Sequence, residues 1–239
     1  MKERIQNEIK HGSFLIEHGA ENIWNWESKA GIIRMKRRVN MLCSPIKKNM
    51  KILEVGCGTG LFTREFVKTN AQITAIDISP DLITLAKEKT LADNVEFKLQ
   101  NAYNLDFEDE CFDGIVGSSV LHHLDLSSAL NEFYRVLKPG GFITFTEPNM
   151  LNPQIFLERK FRLFFKYVSP DETAFLKKPL KIMIKQAGFM NIEIFPFDWL
   201  HPATPERLIN TVSRIGSGLE STPIFREFAG SLFIHSVKQ

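Results

Sequence analysis

The fold of this chain is decided by the stretch KILEVGCGTG, residues 51–60. A short apolar run there ends in three glycines at alternating positions, and Leu61-Phe62 opens a segment with helical spacing. This pattern predicts a strand, a tight turn and a helix. Glycine permits φ > 0 and the close approach of a ligand to the main chain, where the first N–H groups of the next helix are unpaired. The turn therefore predicts a ligand seated against bare backbone.

The composition is typical of one soluble folded unit. The chain has 239 residues, of which 44% are hydrophobic and 24% are charged, enough for one α/β domain with a full core. No run approaches the roughly 20 apolar residues that cross a bilayer, and the amino terminus lacks the apolar core of a signal peptide. We therefore expect a cytoplasmic protein without a transmembrane segment.

The charge and the cysteines exclude further classes of protein. A net charge of +2 is far from the strongly basic balance of a nucleic-acid-binding protein, so no nucleic-acid partner is expected. Cys43, Cys57 and Cys111 are too few and too scattered for a disulfide framework or a thiolate zinc site. All three are expected to be reduced thiols.

Strand and helix patterns alternate after the glycine turn. This alternation predicts a parallel sheet that is covered on both faces and wound by right-handed crossovers. It breaks at residues 149–178, where Phe, Lys and Arg concentrate and a helical insertion is expected, with SPDE at residues 169–172 starting a helix. In such sheets ligands bind beyond the carboxyl ends of the strands. After the first, the predicted strands are residues 71–77, 95–99, 112–117, 142–146, 192–195 and 231–237.

Asp77 ends the second predicted strand, about 20 residues beyond the first glycine, where the acid of a nucleotide-binding fold contacts ribose hydroxyls. A carboxylate can accept from two neighbouring hydroxyls at once. Ser79 already provides the N-cap of the next helix, so capping does not account for Asp77. The glycines read G-x-G-x-G, and the third glycine of a dinucleotide motif is replaced by Leu61, which disfavours a nicotinamide-dependent oxidoreductase.

These features, with Asn101-Ala102 after the third strand and LKPGG at residues 137–141, resemble the class I S-adenosylmethionine-dependent methyltransferases. The similarity is greatest to the small-molecule branch that includes ubiquinone-type methyltransferases, and it covers residues 51–147. It implies a Rossmann-like three-layer α/β sandwich, with a seven-stranded, mostly parallel sheet of order 3-2-1-4-5-7-6 whose last strand is antiparallel. It also implies one methyltransferase domain over residues 1–239, with an N-terminal helical lid at about 1–48 and a helical insertion at about 149–178.

The resemblance implies S-adenosyl-L-methionine as cofactor and a small-molecule methyl acceptor. The glycine turn would hold the methionine part, Asp77 the ribose, and Ile78 would lie beside the adenine. The family commonly has Asp at the position of Asn101, but an amide oxygen can still accept from the adenine amino group. The implied cofactor-binding residues are Glu54, Gly56, Cys57, Gly58, Gly60, Asp77, Ile78, Asn101, Ala102, Ser118 and Ser119.

The candidate catalytic residues are His122, His123 and Glu147. Methyl transfer from a sulfonium is an in-line displacement with an activated leaving group, so the protein mainly aligns the reactants and excludes water. A hydroxyl acceptor would use a general base, for which either histidine is suited by its ordinary pKa and its place after strand four. Structural or cofactor-contacting histidines, and a packing role for Glu147, are the alternatives. No cluster has metal-ligand spacing, so no metal is predicted. A non-catalytic cofactor-binding module stays open.

The acceptor pocket of the family is built from the amino-terminal helix and the insertion, which here include Trp24, Arg34 and Asn149 as candidate substrate contacts. The aromatic and basic mixture suits an apolar, ring-bearing or lipid-linked acceptor with a negative group, or contact with a membrane surface. The alternative is that the phenylalanines of the insertion pack onto the sheet. The acceptor atom and the oligomeric state do not follow from the sequence.

One helix before the glycine turn has two distinct faces. Ile32, Met35, Val39 and Leu42 form an apolar stripe that predicts its packed side. On the other side, residues 34, 37 and 38 are arginines that project together, either into water or toward an anionic group.

Overall fold

A computed structural model describes residues 2–161 and 172–239. Its seven strands form one sheet in the order β3-β2-β1-β4-β5-β7-β6, and β7 is antiparallel to both of its neighbours. The fold class and the strand order predicted from the sequence are therefore confirmed. The strands are β1 Lys51–Val55, β2 Gln72–Asp77, β3 Val95–Leu99, β4 Phe112–Ser118, β5 Leu137–Pro148, β6 Phe189–Phe197 and β7 Ser231–Lys238.

Helices cover both faces of the sheet and its carboxyl edge. None of the described helices combines the length and apolar character needed to cross a bilayer. The helices are α1 Lys2–His18, α2 Ala20–Ile23, α3 Lys29–Cys43, α4 Thr63–Phe66, α5 Pro80–Lys89, α6 Leu126–Val136, α7 Pro153–Lys160, α8 Lys177–Gln186, α9 Ile209–Glu220 and α10 Pro223–Arg226.

The core lies in two layers, one on each face of the sheet. On one face Leu130 and Phe133 of α6 and Ile184 of α8 are fully buried. On the other face Leu42 of α3 and Ile83 of α5 pack in a second cluster. Burial of such side chains stabilises each layer by roughly 1.5–3 kcal/mol per residue.

Two strands, β5 and β6, are longer than the sequence pattern predicts by several residues. β5 begins at Leu137, because Leu137 pairs with Phe112 of β4, and a bulge then shifts the register before Gly114. β6 extends over Phe189–Phe197 because β7 pairs with nearly its whole length. The insertion contains the helix α7, and most of the predicted SPDE helix start lies outside the described residues.

The face of α3 that points inward differs from the prediction. Ile32 is 37% exposed, whereas Arg38 is only 4% exposed, so the interpretation of the arginine face as solvated is wrong for Arg38. Arg38, in the third turn of α3, reaches the carboxyl edge of the sheet, where hydroxyl and carboxylate groups contact its guanidinium. The predicted apolar stripe is buried at Leu42, in the last turn of the helix.

The glycine turn is tied to β2 and packed against the loop after β4. The N–H groups of Gly56 and Cys57 both donate to the carbonyl of Ile76, at 2.8 and 3.0 Å. Gly56 has φ 68°, and a Cβ there would lie 2.4 Å from a methyl group of Val120. Gly58 also has positive φ, at 52°, but its missing Cβ would meet nothing within 4 Å. Packing against Val120 therefore requires glycine at position 56, whereas no packing contact requires it at position 58.

This difference predicts unequal costs for two matched substitutions. Gly56→Ala and Gly58→Ala both place a side chain in the left-handed region, at a cost of about 1–2 kcal/mol. Gly56→Ala adds a clash with Val120, so we expect a further loss of about 1–3 kcal/mol in the free energy of unfolding. Thermal or urea unfolding of the two variants measures the difference. Equal stabilities would show that Val120 moves aside freely.

Candidate active site

A cavity of about 670 Å³ runs along the carboxyl edge of the sheet, with the amino-terminal helices as one wall. We call the part lined by Asp77 and Asn101, at the tips of β2 and β3, the turn end. We call the part lined by Arg34, Arg38 and Asp198, near the tips of β5, β7 and β6, the arginine end. The volume is in the range of small-molecule sites in proteins.

At the turn end, Asp77 closes the glycine turn with its side chain. Its Oδ2 accepts from the N–H of Gly58 at 2.9 Å, and its Oδ1 accepts from the N–H of Ser79 at 2.9 Å. Burial raises the pKa of this carboxyl, and the two N–H groups oppose the rise. A carboxylate held in this way has further lone pairs for two hydroxyl donors, and Asp77 lines the cavity.

The amino-terminal helices reach directly over the glycine turn. The Oε1 atom of Glu21 on α2 accepts from the Thr59 hydroxyl at 2.8 Å and from Lys89 Nζ at 2.9 Å. Ser13 Oγ on α1 donates to Asp81 Oδ2 on α5 at 2.8 Å. These bonds join the predicted lid to the turn itself and to α5.

Two predicted cofactor residues of the turn differ in position. Cys57 lines the cavity, and burial raises the pKa of its thiol well above the ordinary value, so it is a neutral thiol. Glu54, on β1, is 2% exposed and does not line the cavity. Burial raises the pKa of Glu54 to about 8, so this carboxyl is mostly protonated at neutral pH.

The loops after β3 and β4 complete the lining. Asn101 Oδ1 accepts from the Tyr103 N–H at 3.0 Å and so shapes the turn that carries Ala102. Ser119 has φ 58°, a conformation that non-glycine residues adopt rarely, and its N–H donates to the carbonyl of Thr146 at 2.7 Å. Ile78, Asn101, Ala102, Ser118 and Ser119 all face the cavity, as do Gly56 and Gly58, whereas Gly60 does not.

Glu147 holds the loop after β4 from behind. It is fully buried and does not line the cavity. Its Oε1 accepts from the N–H groups of Val120 and Leu121, both at 2.9 Å, and its Oε2 lies 2.6 Å from His122 Nδ1. With both oxygens engaged, Glu147 has the geometry of a positioning residue and not of a base that contacts substrate.

His122 is held between two carboxylates. Its Nε2 lies 3.4 Å from Glu172 Oε1, opposite the contact with Glu147. Burial alone would lower the pKa of His122, but the charge and hydrogen bond of Glu147, together with Glu172, raise it to about 9. A protonated imidazole cannot accept a proton, so this arrangement favours the structural alternative for His122. The neighbouring His123 faces the cavity with Nδ1 3.0 Å from Glu8 Oε2.

The fold brings together one group of potential metal ligands that the sequence spacing does not reveal. His122, His123 and Glu172 have ligand atoms within 4.8 Å of one another. Metal binding requires a neutral imidazole, whereas both ring nitrogens of His122 face carboxylates. This arrangement is that of an ion-pair network, and the absence of a metal stays a prediction.

At the arginine end, two predicted acceptor contacts line the cavity and one does not. Trp24 lies at the rim with 36% exposure, and Arg34 Nε donates to Asp198 Oδ2 at 2.7 Å. Asn149 is buried outside the cavity lining, because its Nδ2 donates to the carbonyls of Glu227 and Ala229. Its prediction as a substrate contact is therefore wrong in this arrangement, and its amide joins the end of β5 to the segment before β7.

Asp198, Trp199 and Glu172 line the cavity but were missed by the sequence analysis. Arg38, for which a contact with an anionic group was left open, lines the cavity together with Trp26. Asp198 directly follows β6 at the carboxyl edge of the sheet, as Asp77 ends β2, and that placement is the signal that could have identified it. The guanidinium carbon atoms of Arg34 and Arg38 lie 5.6 and 5.5 Å from the centre of the Trp26 ring.

Known proteins resemble this chain in sequence and in fold. A family model described as a methyltransferase domain matches residues 53–145. Demethylmenaquinone methyltransferase of Staphylococcus aureus strain MRSA252 is 32% identical over 176 residues, which cover 64% of this chain and 73% of that protein. An S-adenosylmethionine-dependent methyltransferase of Thermotoga maritima superposes with a TM-score of 0.68 at 18% identity, covering 95% of this chain and 97% of the other.

A second solved structure extends the likeness of the fold. Phosphoethanolamine N-methyltransferase 2 of Haemonchus contortus, in complex with S-adenosyl-L-methionine, has a TM-score of 0.64 at 19% identity. The similarity covers 91% of this chain, but this chain spans only 55% of the length of that protein.

The chain belongs to the class I S-adenosylmethionine-dependent methyltransferases, in the branch of ubiquinone- and menaquinone-type enzymes. Its cofactor is S-adenosyl-L-methionine and its activity is methyl transfer to a small-molecule acceptor. The sequence prediction of this family, cofactor and activity is confirmed, and nothing favours the non-catalytic alternative.

The Glu147–His122 pair predicts a pH-dependent stability. Because its pKa rises from 6.5 to about 9 on folding, His122 contributes stability that is complete below pH 6.5 and is lost as the pH rises through 9. Glu147→Gln should lower the free energy of unfolding at pH 6 by about 3 kcal/mol, since it breaks a buried pair. The deficit should shrink toward pH 10, where His122 of the wild type has already lost its proton and the ion pair no longer exists.

Urea unfolding at several pH values measures this deficit. The control is Glu96→Gln, which changes an exposed strand glutamate and should stay within about 0.5 kcal/mol of wild type at every pH. A Glu147→Gln deficit that does not change between pH 6 and pH 10 would mean that His122 is not charged in the folded protein.

Proposed function

We propose that the turn end of the cavity holds S-adenosyl-L-methionine and that the arginine end holds a ring-bearing, quinone-class acceptor. The observation that carries this proposal is the single continuous cavity, which spans from Asp77 to Arg38 along the edge of the sheet. We also propose that the described chain works as one methyltransferase domain, with residues 1–48 as its lid and residues 149–178 as its insertion.

The residues at the turn end fit the cofactor in chemistry and in space. Gly58 and Asp77 provide open backbone and a carboxylate for the ribose, and a Cβ at Gly58 would project into open space. Ile78, Asn101 and Ala102 line the place proposed for the adenine. Gly56, Ser118 and Ser119 lie between this place and the arginine end, where the methionine part would extend.

The residues of this chain would act mainly by alignment. When bound, the cofactor supplies a methyl group on a positively charged sulfur, which is already an activated leaving group. Ser119, held by Thr146, and Val120, held by Glu147, fix the wall between the two ends of the cavity. Trp24 and Trp26 would exclude water from the acceptor. Holding two reactants in line can supply about 7–11 kcal/mol of the barrier reduction.

The names of similar proteins and the residues that line the cavity support the proposed class of acceptor. The Staphylococcus aureus relatives bear the name demethylmenaquinone methyltransferase, which supports a quinone-class acceptor for this chain. Trp24, Trp26 and Trp199 provide the aromatic surface that a flat ring would contact. The exposed Phe156, Leu157 and Phe161 on and beside α7 suit a lipid-linked acceptor approached at a membrane surface.

Cofactor binding tests the first half of this proposal. Asp77→Ala should weaken the binding of S-adenosylhomocysteine at least tenfold, or by about 1.4 kcal/mol, because it removes the acceptor of the ribose hydroxyls. Isothermal titration calorimetry measures the affinity. The matched control is Asp81→Ala, which removes a carboxylate four residues away on α5 that contacts Ser13, outside the cavity lining. Equal affinities of wild type and Asp77→Ala would contradict the assignment.

Product formation tests the second half. Incubation of the protein with methyl-labelled S-adenosylmethionine and a reduced demethylated quinone should yield labelled quinone, detected by mass spectrometry, at a rate that depends on protein concentration. A saturable cofactor affinity without labelled product from a panel of reduced quinones would contradict the quinone class while leaving the cofactor site in place.

A further inference from the structure

An excess of positive charge is buried at the arginine end of the cavity. The side chains of Arg34 and Arg38 are 15% and 5% exposed, and both residues line the cavity. One oxygen, Asp198 Oδ2, lies 2.7 Å from Arg34 Nε and 3.8 Å from Arg38 Nη2. Two guanidinium groups therefore share one carboxylate. The neighbouring Arg37 is paired with Glu220 through two hydrogen bonds of its own.

Several N–H donors of the Arg38 guanidinium have only a distant hydrogen-bond acceptor or none. Its Nη2 donates to Ser231 Oγ at 2.5 Å, but the contacts of Nη1 with Ser119 and Thr146 are both 3.4 Å long. Its Nε–H is buried and has no hydrogen-bond partner within residues 2–161 and 172–239. A guanidinium has five N–H donors, and burying a charge with unused donors costs free energy unless a ligand completes the set.

Other charged groups nearby do not cancel this excess. Glu147 attracts Arg38 from a distance, but its carboxylate is engaged by His122. Glu158 also lines the cavity, but its carboxylate lies 3.9 Å from Nη1 of Arg159, a further arginine. Burial and then repulsion by Arg34 lower the pKa of Arg38 to about 10, so the guanidinium keeps its charge at neutral pH. Burial also lowers the pKa of His201 at the cavity rim, so that imidazole is neutral there. The arginine end is thus a cationic site with an aromatic wall, Trp26.

We propose that Arg34 and Arg38 bind the acceptor through a negatively charged oxygen conjugated with its ring, of the phenolate or enolate class. This inference rests on the proposed function, because it specifies the acceptor of the same site. Arg38 Nη1 lies 3.4 Å from Ser119 Oγ, so an oxygen bound by Arg38 lies beside the place proposed for the methionine part. By stabilising the anion of the acceptor, Arg34 and Arg38 would make a general base for a hydroxyl acceptor unnecessary.

The chemical balance of this step needs no further reactant. A phenol-class acceptor releases its proton to water when it binds, because an adjacent positive charge lowers such a pKa by about 1–3 units. The electron pair of the oxygen, or of a ring carbon conjugated with it, forms the new bond to the methyl carbon. The electrons of the broken carbon–sulfur bond stay on the sulfur. If a ring carbon reacts, its hydrogen leaves afterwards as a proton to water.

The test uses 4-nitrophenol, because its anion absorbs visible light and its neutral form does not. With the full-length protein saturated with S-adenosylhomocysteine, the bound probe should show a pKa at least about one unit below that of the free probe. The neutral methyl ether 4-nitroanisole, which cannot form an anion, should bind at least tenfold more weakly. Arg38→Gln and Arg34→Gln should each remove most of the shift, and Lys36→Gln, on the exposed side of the same helix, should leave it unchanged.

Three results with the probe would overturn the inference. These are no binding of 4-nitrophenol to the saturated wild-type protein, a bound probe with the pKa of the free probe, and arginine variants that match wild type. Arg34→Gln keeps the test decisive if the more buried Arg38→Gln lowers the melting temperature. Arginine variants that fold but lose S-adenosylhomocysteine would also overturn it, because the pair would then bind the cofactor's carboxylate. A wild-type protein that does not bind S-adenosylhomocysteine would instead contradict the proposed function.

Discussion

The carboxylate of Glu147, buried at the end of β5, is the interaction on which the rest of the site depends. It accepts the N–H groups of Val120 and Leu121 and faces the imidazole of His122. Burying two charges is costly, and it is tolerated here because both carboxylate oxygens receive hydrogen bonds. Val120, fixed in this way, packs against Gly56. This contact keeps the loop after β4 at a fixed distance from the glycine turn. Asp77 then fixes the turn from its other side through Gly58.

Features that depend on neighbouring residues could be predicted from the sequence. The glycine turn, the seven strands and the place of Asp77 follow from local periodicity and from the rule that parallel strands end at one edge. Arg38 could not be placed in this way, because its partners are Ser119, Ser231 and Asp198, between 81 and 193 residues away along the chain. Helical periodicity correctly groups the arginines on one side of α3, but it does not indicate whether water or the sheet edge lies opposite. The helix lies across the edge, so the charged face turned inward.

Titratable residues illustrate the same limit. His122 has the ordinary pKa of a general base in sequence, but the fold places it between Glu147 and Glu172, where the protonated form is favoured. Glu147 ends a strand, as a catalytic acid often does, but its side chain points to the loop behind the cavity. The sequence identifies both residues as titratable groups near the carboxyl edge of the sheet. Their hydrogen-bond partners in the fold determine whether they can act as bases. At the arginine end the same logic favours electrostatic stabilisation of an anion over proton abstraction by a side chain.

The contacts of α1 and α2 with the turn have a consequence for the order of events in a catalytic cycle. Gly12 of α1 packs so closely on Ser79 that a Cβ there would lie 2.4 Å from its hydroxyl oxygen, and Glu21 of α2 bonds Thr59 inside the turn. The same segment continues through Trp26 into α3, which carries Arg34 and Arg38. If this segment acts as the proposed lid, its separation from α5 would open the turn end and would also move the arginines at the other end of the cavity. Under the proposed function, exchange of the cofactor and exchange of the acceptor would therefore be coupled, because one segment of the chain covers both ends of the cavity.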